Sequence, residues 1–238
     1  MRIKASTSEP RRNSITGSAE VSGSWTQTLL TCGVVAGPLF FGTVIVQAVN
    51  REGFDPRTHP LSLLSLGDLG WVQIANFLLV GLLVSASAVG IRRALRSEHA
   101  GTWGPLLIGV YGVALIWAGL FPADPADGFP IGTPNSGVGQ PSWRGLLHLA
   151  APTVMGIALD AACVVFARRF FKLGEPGWAV YCLVTIAGDF SAGIAAALTQ
   201  DFRWLLLGGA LTWGWASVIA GRLLIERSQA RAWSSRHA

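Results

Sequence analysis

Charge is the scarcest commodity in this chain. Only 13% of its 238 residues are Asp, Glu, Lys or Arg, about half the share that a soluble domain carries on its water-facing surface. That shortage excludes an ordinary globular exterior and points to a surface that faces lipid. Cysteine is scarce too. Cys32, Cys163 and Cys182 all lie in apolar stretches and form no CxxC pair, which argues against a disulfide framework or a zinc ribbon. The four histidines are His59, His99, His148 and His237. No nucleophile elbow, metal-binding doublet or phosphate loop occurs anywhere, and no internal repeat is present.

Apolar length is abundant. The chain is 51% hydrophobic with a mean hydropathy of +0.47. Runs near the roughly 20 residues needed to cross hydrocarbon can be placed at Thr28–Val49, Trp71–Leu95, Trp103–Leu120, Gly145–Ala167, Gly177–Leu198 and Trp204–Ile225. They are continuously apolar instead of alternating. A backbone in lipid must satisfy its own hydrogen bonds, so these runs predict an all-α, polytopic bundle of six transmembrane helices. The predicted organisation is a disordered cytoplasmic tail over 1–25, a transmembrane domain over 26–227 and a basic cytoplasmic tail over 228–238.

A sequence pI near 9.7 would suggest nucleic acid in a soluble protein, but the placement of the charges excludes it here. Fourteen of the eighteen Lys and Arg fall in the N-terminal tail, the second and fourth connections and the C-terminal end; only Arg51, Arg57, Arg144 and Arg203 fall on the other side. The positive-inside rule then puts both termini in the cytoplasm of a cell (plasma) membrane protein, with membrane lipids as its partners. Eight of ten tryptophans (all but Trp213 and Trp215) fall at or beyond predicted helix ends, where indole suits the headgroup level. A cleaved signal peptide is the competing account of the first run, with Val46-Gln47-Ala48 as the cleavage step. The charged region before it is long and the run exceeds a usual h-region.

Two connections on the outer side, Asn50–Gly70 and Phe121–Arg144, are long and rich in Pro, Gly and Asp; long ordered loops on one face are a common seat of function. The first ends in HPLSLLSLGDLGW, residues 59–71, too short to span. Pro60 suits a first helical turn, and Leu61, Leu64 and Leu66 could dip into the membrane boundary, so a short interfacial or re-entrant helix is expected there. In the first span Gly33 and Gly37 form a small-xxx-small face for close helix contact, within the bundle or in an oligomer.

The runs GPLFF, HPLSLLSLGDLGWVQIANFLLVGLL, AGLFPADPADGFPIGTP and SWRGLLHLA, in that order, resemble an uncharacterised bacterial integral-membrane family, domain of unknown function 998 (DUF998). The likeness extends from about Cys32 to Arg169 and weakens through the last two helices. It implies a six-helix membrane protein and supplies no activity.

Two sets of polar residues are candidates for function. On the outer side stand His59, Asp68, Asp124, Asp127 and His148, which could converge for acid/base work or cation binding. Asp-Pro and Asp-Gly steps are also ordinary turn chemistry, and a histidine can bond a loop carbonyl. With His99 and His237 assigned to the cytoplasm, two outer histidines cannot build a three-histidine zinc site. No cofactor and no metal is expected. The second set is intramembrane: Asp160 in the fourth span and Asp189 in the fifth, with no Lys or Arg in either run. An aspartate at mid-bilayer costs about 2.5–3.5 kcal/mol on insertion scales and normally faces the bundle interior. At about 1.5 Å per residue they lie about 12 and 18 Å from the cytoplasmic face. Either they line a polar interior or they fix helix packing through neighbours such as Thr153, Thr185 and Ser191. Three functions remain open: binding or moving a small or lipidic molecule, an enzyme acting on a lipid or isoprenoid at the outer face, and a structural or accessory role.

Overall fold

The computed structural model describes residues 12–96, 98, 100–137 and 139–237, without the side chains of 12–22, 234 and 235. Residues 1–11 of the expected tail and His99 lie outside the described residues. The chain is all-helical: α1 (Arg12–Asn50), α2 (Gly70–Ala94), α3 (Trp103–Leu120), α4 (Trp143–Lys172), α5 (Pro176–Thr199) and α6 (Arg203–His237). Each contains a stretch long and apolar enough to cross a membrane. The predicted runs and the helices agree to within a few residues except at the N-terminal end of α1 and the C-terminal end of α6, where polar turns continue the helix beyond the apolar stretch.

Each helix packs on its neighbours in sequence, and α6 closes back onto α1, so the six form a ring. Small residues set how closely the ring is drawn in. A Cβ on Gly81 of α2 would stand 2.7 Å from the carbonyl oxygen of Gly112, and one on Gly112 would stand 2.9 Å from that of Gly81. Gly33 faces Ser87 of α2 and Ala220 of α6, and Gly37 faces Ser217 of α6. The close approach these two glycines permit is therefore used between α1, α2 and α6 of one chain.

The tryptophans divide as their positions imply. Trp25, Trp71, Trp103, Trp143, Trp204 and Trp233 are exposed, whereas Trp213 and Trp215 are buried in the core. Indole Nε1 of Trp215 donates to Sγ of Cys182 at 3.2 Å; all three cysteines are free.

The two ends of the bundle are held differently. At the end bearing the short connections, Arg222 donates to both oxygens of Glu175 at 2.7 and 2.6 Å, pairs with Glu226 and lies over the rings of Phe170 and Trp178. Buried Arg169 pairs with Glu98 at 2.6 Å. Arg227 donates to the last carbonyls of α2, those of Arg93 and Ala94. At the long-loop end the ties are mostly backbone and neutral. Residues Leu61–Ser65 of the leucine-rich segment form a 3-10 helix with Leu63 and Leu64 buried. Leu64 thus turns into the protein core and away from lipid, while Leu61 and Leu66 are half-buried. Arg51 donates to the carbonyls of Leu64 and Leu66 and stacks on Phe129. Partial burial draws the Arg51 pKa below the ordinary guanidinium value against the opposing pull of Asp68.

Helix packing through α2 and α3 has a direct test. Gly81→Ala is expected to destabilise the bundle by about 1–3 kcal/mol, since the new methyl meets backbone. Gly42→Ala, where a Cβ would meet open space, should leave the melting temperature unchanged or raise it. Thermal unfolding of both variants in detergent measures the contrast, and equal effects would refute the close α2–α3 approach.

Candidate functional site

The ring encloses a cavity of about 580 Å³ that runs from the long loops to the middle of α5. Its loop end is lined by Pro60–Leu63, Ala123, Asp124, Ala126, Asp127 and Pro141. Its inner end is lined by Phe40, Phe41, Tyr111, Asp189, Thr212 and Trp213. His148, Pro152 and Gly156 of α4 form one wall.

The loop end is built from turn and cap chemistry. Asp127 and Gly128 occupy the two central positions of a two-residue turn, both with positive φ (52° and 84°). The flanking Ala126 and Phe129 exchange backbone hydrogen bonds of 3.2 and 2.9 Å. Asp-Gly is the pair that such a turn favours. The Asp127 side chain is exposed, and its backbone carbonyl accepts from Nε2 of His59 at 2.8 Å. Nδ1 of His59 in turn accepts the backbone N–H of Asp55 at 2.9 Å. Both ring nitrogens are thus engaged, and the imidazole sits between Phe54 and Phe129. His59 is a bridge between the two long loops.

Asp124 does a second structural job. Its two carboxylate oxygens accept from the backbone N–H and the hydroxyl of Ser142, at 2.7 and 2.6 Å. Ser142 is the N-cap of α4 and its hydroxyl oxygen accepts from Gly145 N–H at 3.0 Å. A Cβ on Gly145 would collide with the Asp124 carboxylate, standing 2.0 Å from one oxygen. The start of α4 is folded around this carboxylate. Asp68 is exposed and does not line the cavity. Asp124 and Asp127 line the cavity with His148, and among the described residues no three His, Cys, Asp or Glu side chains are grouped to hold a metal ion.

His148 differs from His59. It is 3% exposed, and Nδ1 lies 2.7 Å from the carbonyl oxygen of Phe121, which can only accept. Nδ1 therefore donates, and Nε2 has no protein partner among the described residues, which leaves it free on the cavity wall. One turn on, Pro152 has no N–H to return to the His148 carbonyl, so this wall of α4 presents further acceptor capacity.

At the inner end Asp189 reaches the cavity beside Gly208 of α6. A Cβ there would stand 2.9 Å from one oxygen of Asp189, so glycine makes room for the carboxylate. The Thr212 hydroxyl donates to the carbonyls of Gly208 and Gly209. Phe40 stacks on Trp213 at a centroid separation of 4.4 Å, with Phe41 and Tyr111 edge-on to the same indole. Asp160 does not line the cavity, and one of its oxygens is buried without a partner. Thr185, one of the hydroxyls named as a packing partner, donates instead to the carbonyl of Tyr181 at 2.9 Å. Thr153 does the same to Leu149.

Residues 34–229 match the family described as Protein of unknown function (DUF998). The chain belongs to that family. No curated protein and no solved structure matches it. Within this DUF998 chain the matched segment begins in α1 and ends in α6, so every residue that lines the cavity falls inside it.

Sequence reasoning did not find the aromatic cluster, Gly208, or a buried amide group between α1 and α2. In that group Gln47 donates to Gln73 at 2.7 Å and Asn76 donates to the Phe40 carbonyl at 3.2 Å. The available signal was three amides inside otherwise apolar runs.

Architectural and ligand-facing roles separate by mutation. Asp124→Ala removes the acceptor that holds the α4 cap and should cost about 1–2 kcal/mol in unfolding free energy. Asp189→Asn, with no hydrogen bond to lose among the described residues, should change stability by less than about 0.5 kcal/mol. Chemical unfolding in mixed micelles compares them, and the reverse order would overturn both assignments.

Proposed function

We propose that this multi-pass membrane protein binds, and by doing so moves or presents, a small or lipidic molecule held in the central cavity. The single observation that carries the reading is the cavity itself, which extends from the long loops to an intramembrane carboxylate. A bundle whose polar residues served packing alone would have no reason to keep Asp189 beside space of about 580 Å³, because an intramembrane carboxylate is costly wherever it is not used. Its volume falls in the range usual for small-molecule sites, whose walls are mostly apolar with a few placed polar groups.

The same proposal places both termini in the cytoplasm of the plasma membrane, with the long loops outside. Support comes from the arginine clusters at one end of the bundle, which match the charge bias of cytoplasmic loops. The leucine-rich 3-10 segment and the Asp-Gly turn then form the outer rim of the cavity. The enzyme alternative retains His148 and Asp127, which line the cavity, since Asp124 is committed to the α4 cap and Asp68 stands elsewhere.

Two measurements test this. With Cys32, Cys163 and Cys182 replaced by alanine, Leu205→Cys on the cavity wall should react with a membrane-impermeant maleimide added outside intact cells. Reaction only after the cytoplasmic side is opened would reverse the orientation. In a deletion strain, growth or lipid profile should be restored by the wild-type gene and not by Asp189→Asn or His148→Ala; full rescue by both variants would defeat the cavity reading.

A further inference from the structure

The charge of the cavity lining specifies its occupant, and this step rests on the cavity reading above. The ionisable groups that line it are Asp124, Asp127, Asp189 and His148, with no lysine or arginine among them. Nε2 of His148 has no protein partner among the described residues, its Nδ1 being engaged by the Phe121 carbonyl. The Thr212 hydroxyl has its hydrogen turned to backbone carbonyls and so faces the cavity as an acceptor. Tyr111, Trp213 and Ser62 add neutral donors only. At the inner end the only carboxylate on the wall is that of Asp189, which has neither a hydrogen bond nor a cation partner among the described residues.

We infer that the cavity takes an organic cation with an apolar body, a protonated or quaternary amine whose positive head rests at Asp189. Four aromatic rings, Phe40, Phe41, Tyr111 and Trp213, cluster on the lining of the same cavity, and aromatic faces attract an ammonium that has been stripped of water. An anionic headgroup would meet repulsion from Asp189 with no cation to offset it. A bare metal ion would need several oxygen ligands, and the inner end offers one carboxylate among hydrocarbon and rings. An amine with an apolar tail satisfies both the carboxylate and the walls.

The test uses one body with three heads: 4-phenylbutylamine, 4-phenylbutanol and 4-phenylbutyrate, titrated against the full-length protein in uncharged detergent and read by tryptophan fluorescence and calorimetry. Wild type should prefer the amine over the alcohol by at least about tenfold, equivalent to about 1.4 kcal/mol, and the butyrate should bind weakest. In Asp189→Asn, confirmed folded by its melting curve, the amine and alcohol should bind within about twofold to threefold of each other. Equal binding of all three heads by wild type, abolished by the cavity-filling Gly209→Leu, would overturn the charge inference and leave the cavity reading intact. Amine preference that survives Asp189→Asn would overturn the role given to Asp189. No binding of any head, or binding indifferent to Gly209→Leu, would sink the cavity reading as well.

Discussion

A polar group carried into hydrocarbon must find its partner within the protein, and the whole arrangement follows from that constraint. Backbone groups meet it by closing into helices. Hydroxyls meet it by donating back along the helix, as Ser85, Thr185 and Thr212 do to carbonyls one turn earlier. Indole N–H groups of Trp117 and Trp215 find a carbonyl and a thiol. The amide group of Gln47, Gln73 and Asn76 joins α1 to α2 in the same way, although one oxygen of Gln47 and one nitrogen of Gln73 remain buried without partners. With nearly every other polar atom engaged, the carboxylate of Asp189 and the free nitrogen of His148 stand out as capacity that the fold itself does not use.

The ends of the ring obey the constraint with different chemistry, and the contrast shapes the cavity. At the end of short connections, Arg169 and Arg222 bind glutamates across helices, and Arg222 also covers two aromatic faces. Such charge-assisted, multidentate contacts fix helix positions strongly. At the other end two long loops are held by the His59 bridge, the Arg51 contacts to loop carbonyls and the Asp124 carboxylate at the α4 cap, with no ion pair between the two loops among the described residues, over an interior that is not filled by side chains. Asp201 in the tight turn between α5 and α6 is an exception: the hydrogen-bonded guanidinium of Arg203 holds its carboxyl below the usual carboxylate range. The Phe202 N–H from that turn reaches the Arg57 carbonyl, so α6 is tied to the first loop beside the cavity.

The helices were legible in the sequence because their signal is long and repeated. Twenty apolar residues between tryptophans and arginines have few other readings, and the helices followed to within a few residues except where polar turns extend α1 and α6. The site was legible only in part. Asp189 announced itself as a charge in an apolar run. His148 was noted, yet whether its free nitrogen met a ligand or a carbonyl depended on Phe121, which lies 27 positions away and leaves no periodic trace. Asp124 shows the converse: turn chemistry and acid chemistry use the same residue, and only the position of Ser142 decides between them. The aromatic cluster was invisible because Phe40, Tyr111 and Trp213 come from three helices whose rotation about their axes no hydropathy pattern specifies.

Asp160 and Asp189 are the same residue type in adjacent apolar runs, and the ring separates them. Asp189 stands on the cavity wall where Gly208 leaves room, while Asp160 lies behind it with one oxygen enclosed and unpaired. A charged side chain in hydrocarbon normally faces the interior of its bundle, and the two positions answer that demand differently: Asp189 opens onto the cavity, whereas Asp160 is kept out of it. The cavity thus takes up one of the two carboxylates and leaves the other enclosed.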